Sequence, residues 1–310
     1  MHRRRFLNYI SALVASTAFT LKGFSQENKM LSRSIPGTNE FLPVIGLGSP
    51  EEFINITSEG KNLPKSLIDM MLKMGGKVID TPAFFRPDVP IIGDIINEMG
   101  VKNDLFLIGK STVNGKEASR IHLEKLVANL NKRPIDALLI HNMRQMDIQW
   151  PMLKDWKEKG LVRYIGVSMV PRRNRFDAYE ALEKFMTNEN PDIIMTGYSM
   201  TQPWPGDRIT PLAKDKGIAV IAAEAFKTLE DGAYFAVTAG KEIPEWVKEY
   251  NINSWAQFSL KWIISDPAIT TVVTETGKIE HVIDNMGAGF GNLPDRETRN
   301  RMRELLYSFV

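Results

Sequence analysis

Past residue 40 the chain repeats one rhythm: short runs with almost no polar residue alternate with longer, charged stretches. The apolar runs are FLPVIGLGS, KVID, DLFLIGK, DALLIH, VRYIGVS, PDIIMTG, GIAVIAAE and TTVVTE. They are apolar nearly throughout instead of alternating, which is the signature of strands covered on both faces. Between them the period lengthens. Leu123, Leu126, Val127 and Leu130 fall at i, i+3, i+4 and i+7, one face of a helix. Leu63 to Met74, Lys116 to Leu130, Ile148 to Lys159, Asn174 to Asn188 and Lys278 to Met286 are expected helices. Pro64 near the start of the first suits the first helical position, where its missing N–H costs nothing.

The apolar runs end at Asp80, Lys110, His141, Ser168, Gly197, Glu224 and Glu275. Most intervals are about thirty residues, the size of one strand–helix unit. Eight such units predict an α/β fold, a closed (β/α)8 TIM barrel forming a single domain over residues 41–310. A doubly wound open sheet is the alternative. It would place a G-x-G-x-x-G turn after its first strand, and IGLGSPEE lacks that spacing. In a barrel the C-terminal strand ends form one mouth. A single polar residue there often caps the next helix. Asp80, Lys110, His141 and Ser168 at successive strand ends point instead to a shared site.

The first 25 residues follow a different logic. A basic head, an apolar run from Tyr9 to Leu21 and a small-residue tail have the layout of a cleavable signal. The apolar run is too short to span a bilayer core of about 30 Å comfortably. In RRRFL, Arg3, Arg4, Phe6 and Leu7 match the twin-arginine export motif, and a general secretory signal is the other reading. Residues 26–40 read as a polar linker. The expected location is periplasmic or secreted, with the export machinery as a partner.

Composition narrows the chemistry further. The 310 residues carry a formal net charge of +2. Residues 1–25 hold four of the cations and no acid, which leaves −2 for the body. That balance gives no electrostatic case for nucleic acid. With no cysteine, thiolate nucleophiles, disulfides and Cys-ligated zinc are excluded. His2, His122, His141 and His281 are scattered, so no metal site is expected.

From IGLGS through VIDT, LFLIGK, IDALLIHNM, LKDWKEKGLVRYIGVS and AQFSLKW to VIDNMGA, the order and spacing resemble the aldo-keto reductase family over about residues 41–290. The resemblance implies NADP(H)-linked reduction of a small carbonyl, in which a tyrosine gives the proton. By position Asp80, Lys110 and His141 match the family's catalytic aspartate, lysine and histidine. The tyrosine is expected five residues after the aspartate, where this chain has Phe85. For the cofactor, Ser168 matches a nicotinamide contact, and Asp284 and Asn285 resemble the adenine-side pair. Met169, Met195 and Ala223 replace amide-binding and ring-stacking residues, and the phosphate grip reads Glu275, Thr276 and His281. Glu224 falls beside the expected path of the pyrophosphate.

Trp150 and Trp204 are expected in loops after the fourth and sixth strands, where with Phe85 and Glu224 they would face a small-molecule substrate; packing of the two tryptophans against the barrel rim is the other reading. Arg172, Arg173 and Arg175 follow the fifth strand as an anion-binding turn or a solvated one. Three functions stay open: an oxidoreductase of a small carbonyl, polyol or sugar-like compound; a non-redox lyase, isomerase or hydrolase; and a ligand-binding or inactive relative.

Overall fold

A computed structural model describes residues 29–48, 60–81, 92–112, 114–170, 176–202, 204–227 and 234–309. The signal-like leader, Phe85 and Arg172, Arg173 and Arg175 lie outside these residues.

Ten strands are described: β1 Ser32–Ser34, β2 Phe41–Pro43, β3 Ile45–Leu47, β4 Val78–Asp80, β5 Phe106–Ser111, β6 Ile135–Ile140, β7 Val162–Met169, β8 Ile193–Gly197, β9 Ala219–Ala223 and β10 Ile269–Thr274. The last eight close into a barrel in the order β10-β3-β4-β5-β6-β7-β8-β9. Every neighbour is parallel. This is the (β/α)8 fold in a single domain. Strands β5, β6 and β10 are buried along their whole length, because helices cover the outside and side chains fill the inside. Among the helices are Asn62–Lys73, Lys116–Leu130, Met146–Glu158, Phe176–Glu189 and Ile279–Gly287.

Residues 30–40 are more ordered than their polar composition implies. β1 pairs antiparallel with β2. Ile35 and Leu42 are buried with Val78 and Phe106 in the barrel interior, so this hairpin plugs the end opposite the mouth. Arg33 fixes it by donating to the carbonyls of Ile264, Asp266 and Ile269. Glu40 receives Arg163 and the Tyr164 hydroxyl. Closing this end leaves the C-terminal strand ends as the open one.

Candidate active site

Register brings the strand-end groups together. Asp80 lies opposite Ile108 and Lys110 opposite Leu139. Lys110 therefore sits two residues further along the wall than Asp80 and reaches back to it. Its Nζ donates to Asp80 Oδ2 at 2.5 Å, with side chains 9% and 5% exposed. A buried pair of this kind is weak evidence for stability, since desolvation offsets the attraction. A cavity of about 620 Å³ opens beside it, also lined by His141, Ser168, Met195, Glu224 and Glu275. The four reactive groups at successive strand ends thus share one mouth.

His141 starts a tight turn in which Asn142 (φ 50°, ψ 35°) is left-handed. Its Nδ1 is 3.1 Å from Ser168 Oγ, which also accepts the Asn142 N–H at 3.2 Å. The Asn142 amide nitrogen is 3.2 Å from Nε2, and its oxygen accepts the Val170 N–H. This network assigns the ring proton to Nδ1. Burial, then the charges of Lys110 and Arg144, lower the imidazole pKa to about 4. His141 is therefore neutral near pH 7 and is a poor proton donor there, so delivery of a proton from an imidazolium is not what this site is built for.

Across the barrel lies a feature the sequence reading only half identified. After β9, Glu224 takes a left-handed backbone (φ 56°). The Lys227 N–H donates to the Glu224 carbonyl at 3.1 Å. That turn puts both side chains on one side, and Lys227 Nζ meets Glu224 Oε2 at 2.8 Å. Thr201 and Ser259 hold the turn through the carbonyls of Lys227 and Ala225. Lys227 and Phe226 line the cavity with Glu224. The signal for this pair was the three-residue spacing in EAFK directly after an apolar run.

Two glycines make room for the mouth's glutamates. A Cβ on Gly197 would stand 3.1 Å from Glu224 Oε2, and one on Gly48 would stand 2.7 Å from Glu275 Cγ. Tyr179 is pushed up to about 12 by burial and the Glu224 charge. No tyrosine lines the cavity among the described residues, so none there takes over the place of the family's proton donor.

Other expected contacts fall elsewhere. Trp150 is a correction: it lies within the helix Met146–Glu158, buried edge-on against Phe185 at 4.9 Å, and donates to Glu189 at 2.6 Å. That places it between helices on the outside of the barrel. Trp204 opens a short helix, Trp204–Asp207, is 40% exposed and is outside the cavity lining. Asp284 accepts from Ser254 (2.7 Å) and Gln257 (2.9 Å). Asn285 donates to Thr274 at 3.2 Å, behind the cavity wall. No group of three or more His, Asp or Glu suited to a metal occurs among the described residues.

Fold and mouth together define a (β/α)8 barrel with a cavity lined by ionisable side chains at the C-terminal strand ends. The chain belongs to the aldo/keto reductase family, whose model it matches over residues 55–305. It is 21% identical over 290 residues to YqkF of Bacillus subtilis, named an uncharacterized oxidoreductase, covering 81% of this chain and 89% of that one. An uncharacterized oxidoreductase of Schizosaccharomyces pombe is 28% identical over 174 residues. That match takes in 48% of this chain and only about half (51%) of the yeast protein's length. An aldo-keto reductase from Klebsiella pneumoniae in complex with NADPH shares the fold with a TM-score of 0.70 at 19% identity, covering 90% and 95% of the two chains. The holo form of aldo-keto reductase AKR11C1 from Bacillus halodurans gives 0.69 at 16%, covering 89% and 96%.

The described residues fit a nicotinamide dinucleotide only in part. Met195, Ala223 and Val273 offer an apolar wall beside the Ser168 hydroxyl. The same cavity presents Glu224 and Glu275, with Lys227 already engaged by Glu224. Three carboxylates and two ammonium groups line it among the described residues, a balance that repels a polyanion.

Proposed function

We propose that this chain is an oxidoreductase of a small carbonyl, polyol or sugar-like compound, with weakly held NADP(H) as its redox partner. The observation that carries the reading is the buried Lys110–Asp80 pair opening into one cavity with His141 and Ser168. NADP(H) enters the proposal from the Klebsiella pneumoniae neighbour solved with NADPH. When bound, it supplies or accepts a hydride.

The chain's own residues handle the proton. Lys110 holds one at Nζ, aimed by Asp80, and passes it to the substrate oxygen directly or through a water. Neutral His141, its ring proton directed at Ser168, has only the Nε2 lone pair to offer, and so orients a substrate hydroxyl beside that oxygen. Lacking a tyrosine at position 85, the reaction runs slower by up to about 10²- to 10⁴-fold, the usual worth of a positioned acid. Export through the Arg3-Arg4 leader belongs to the same proposal, and cytoplasmic retention on changing both to Lys is its test.

Titration with NADPH followed by tryptophan fluorescence, with turnover measured on aldehydes and sugars, tests the redox reading. Binding weaker than micromolar together with slow, NADPH-dependent turnover is expected. No binding and no NADPH-dependent turnover rejects it.

A further inference from the structure

The mouth carries two ion pairs, and the redox reading uses one. Lys110 stands on β5 and Glu224 directly follows β9, four strands apart either way around a ring of eight. The two pairs therefore face each other across the cavity they both line. A Glu–Lys pair confined to a turn could be structural, yet three features argue otherwise. Glu224 is held in a left-handed conformation that a residue with a Cβ adopts at a cost. Gly197 is bare where the carboxylate needs space. Thr201 and Ser259 anchor the turn from behind. Strain that neighbouring residues hold in place, next to a cavity, is a mark of a working group.

We propose that Glu224 is a proton-transfer residue and that this site enolises a small hydroxylated carbonyl compound with no nicotinamide taking part. The substrate carbonyl oxygen lies toward Lys110, a neighbouring hydroxyl lies toward His141, and the α-carbon lies toward Glu224. The Glu224 carboxylate removes the α-proton. The C–H electron pair becomes the new C=C bond, and the carbonyl π pair moves onto oxygen, where the Lys110 ammonium stabilises it. Lys227 orients Glu224, and the protonated Glu224 then returns a proton to carbon. Nothing is oxidised or reduced overall. Phe226 supplies an apolar face for the carbon skeleton.

The inference rests on reading the mouth as an active site and not on hydride transfer, so the two are separable. The full chain, without NADP(H), is incubated in D₂O with glyceraldehyde, dihydroxyacetone, erythrulose or fructose, and α-deuteration is followed by proton NMR. Exchange above the buffer rate with at least one of them is expected. Glu224→Gln should lower it about 10²- to 10⁴-fold, and Gly197→Ala, which crowds Oε2, should lower it less. Formate added to Glu224→Ala should restore part of the rate, which a purely structural role would not allow. A thermal melt of each variant separates lost chemistry from lost folding. No exchange with any of the four compounds, or exchange unchanged in folded Glu224→Gln, overturns the proposal. If NADPH-linked reduction is found in that case, the redox reading stands alone. Exchange with no NADPH-linked reduction leaves enolisation as the site's activity.

Discussion

Lys110 Nζ lies 2.5 Å from Asp80 Oδ2, and neither side chain is more than a tenth exposed. Removing either partner alone strands a charge, so Asp80→Leu or Lys110→Met should destabilise the fold by about 3–5 kcal/mol. Removing both should recover most of that loss while abolishing activity. Urea melts of the two single variants and the double variant measure it. A double variant that keeps full activity would make the pair a structural relic.

Glu224 and Gly197 are matched in a second way: one is strained and the other leaves room. Glu224→Gly relieves the left-handed backbone, whereas Glu224→Ala keeps the strain, and both lose the bond to Lys227. The glycine variant should therefore be more stable than the alanine variant by about 1 kcal/mol, with both inactive in exchange. Equal midpoints in thermal denaturation would show that the backbone at 224 costs nothing.

His141 sets a pH dependence. Its folded pKa lies near 4, below the ordinary 6.5, chiefly because burial disfavours the charged ring. Between these values the unfolded chain binds a proton that the folded chain does not, so stability falls as pH drops from about 6.5 toward about 4. Above 6.5 this contribution is flat. His141→Gln should lose that part of the slope when denaturation midpoints are compared across the range. An unchanged slope would mean the ring is solvated in the folded state.

Asp80, Lys110, His141 and Ser168 were readable in the sequence because each ends an apolar run, and parallel strands in register carry such ends to one rim. Lys227 and Phe226 carried no such mark. They sit in a turn, where position depends on the φ of Glu224 and on anchors 26 or more residues away, Thr201 and Ser259. Trp150 was misplaced because RQMDIQWP, polar and ending in proline, looks like a loop although it overlaps the helix expected from Ile148; that helix begins at Met146 after a left-handed Gln145 and carries Trp150 with it. Residues 30–40 looked like a linker because between Leu31 and Glu40 only Ile35 is fully buried, and Leu42 and Pro43, which complete the inner side of the hairpin, lie beyond it.

Position 85 offers the sharpest test of how much reductase chemistry remains. Phe85 differs from tyrosine by one hydroxyl, and it stands five residues after Asp80, where the family places its proton donor. The Asp80–Lys110 pair that would activate such a hydroxyl is intact and buried. Phe85→Tyr should raise NADPH-linked reduction of small aldehydes, with an upper bound of roughly 10²- to 10⁴-fold. The observed gain should fall well short of that bound. A dinucleotide sharing the cavity with Glu224 and Glu275 would be held loosely, and orientation limits the rate as much as acidity does. Adding Glu224→Gln to Phe85→Tyr should then raise reduction further by easing that repulsion, even as it removes α-proton exchange. Opposite movement of the two activities in one double variant would mean that both chemistries draw on the same mouth and compete for its charge. Equal reduction rates in parent and Phe85→Tyr would instead place residue 85 outside the working site.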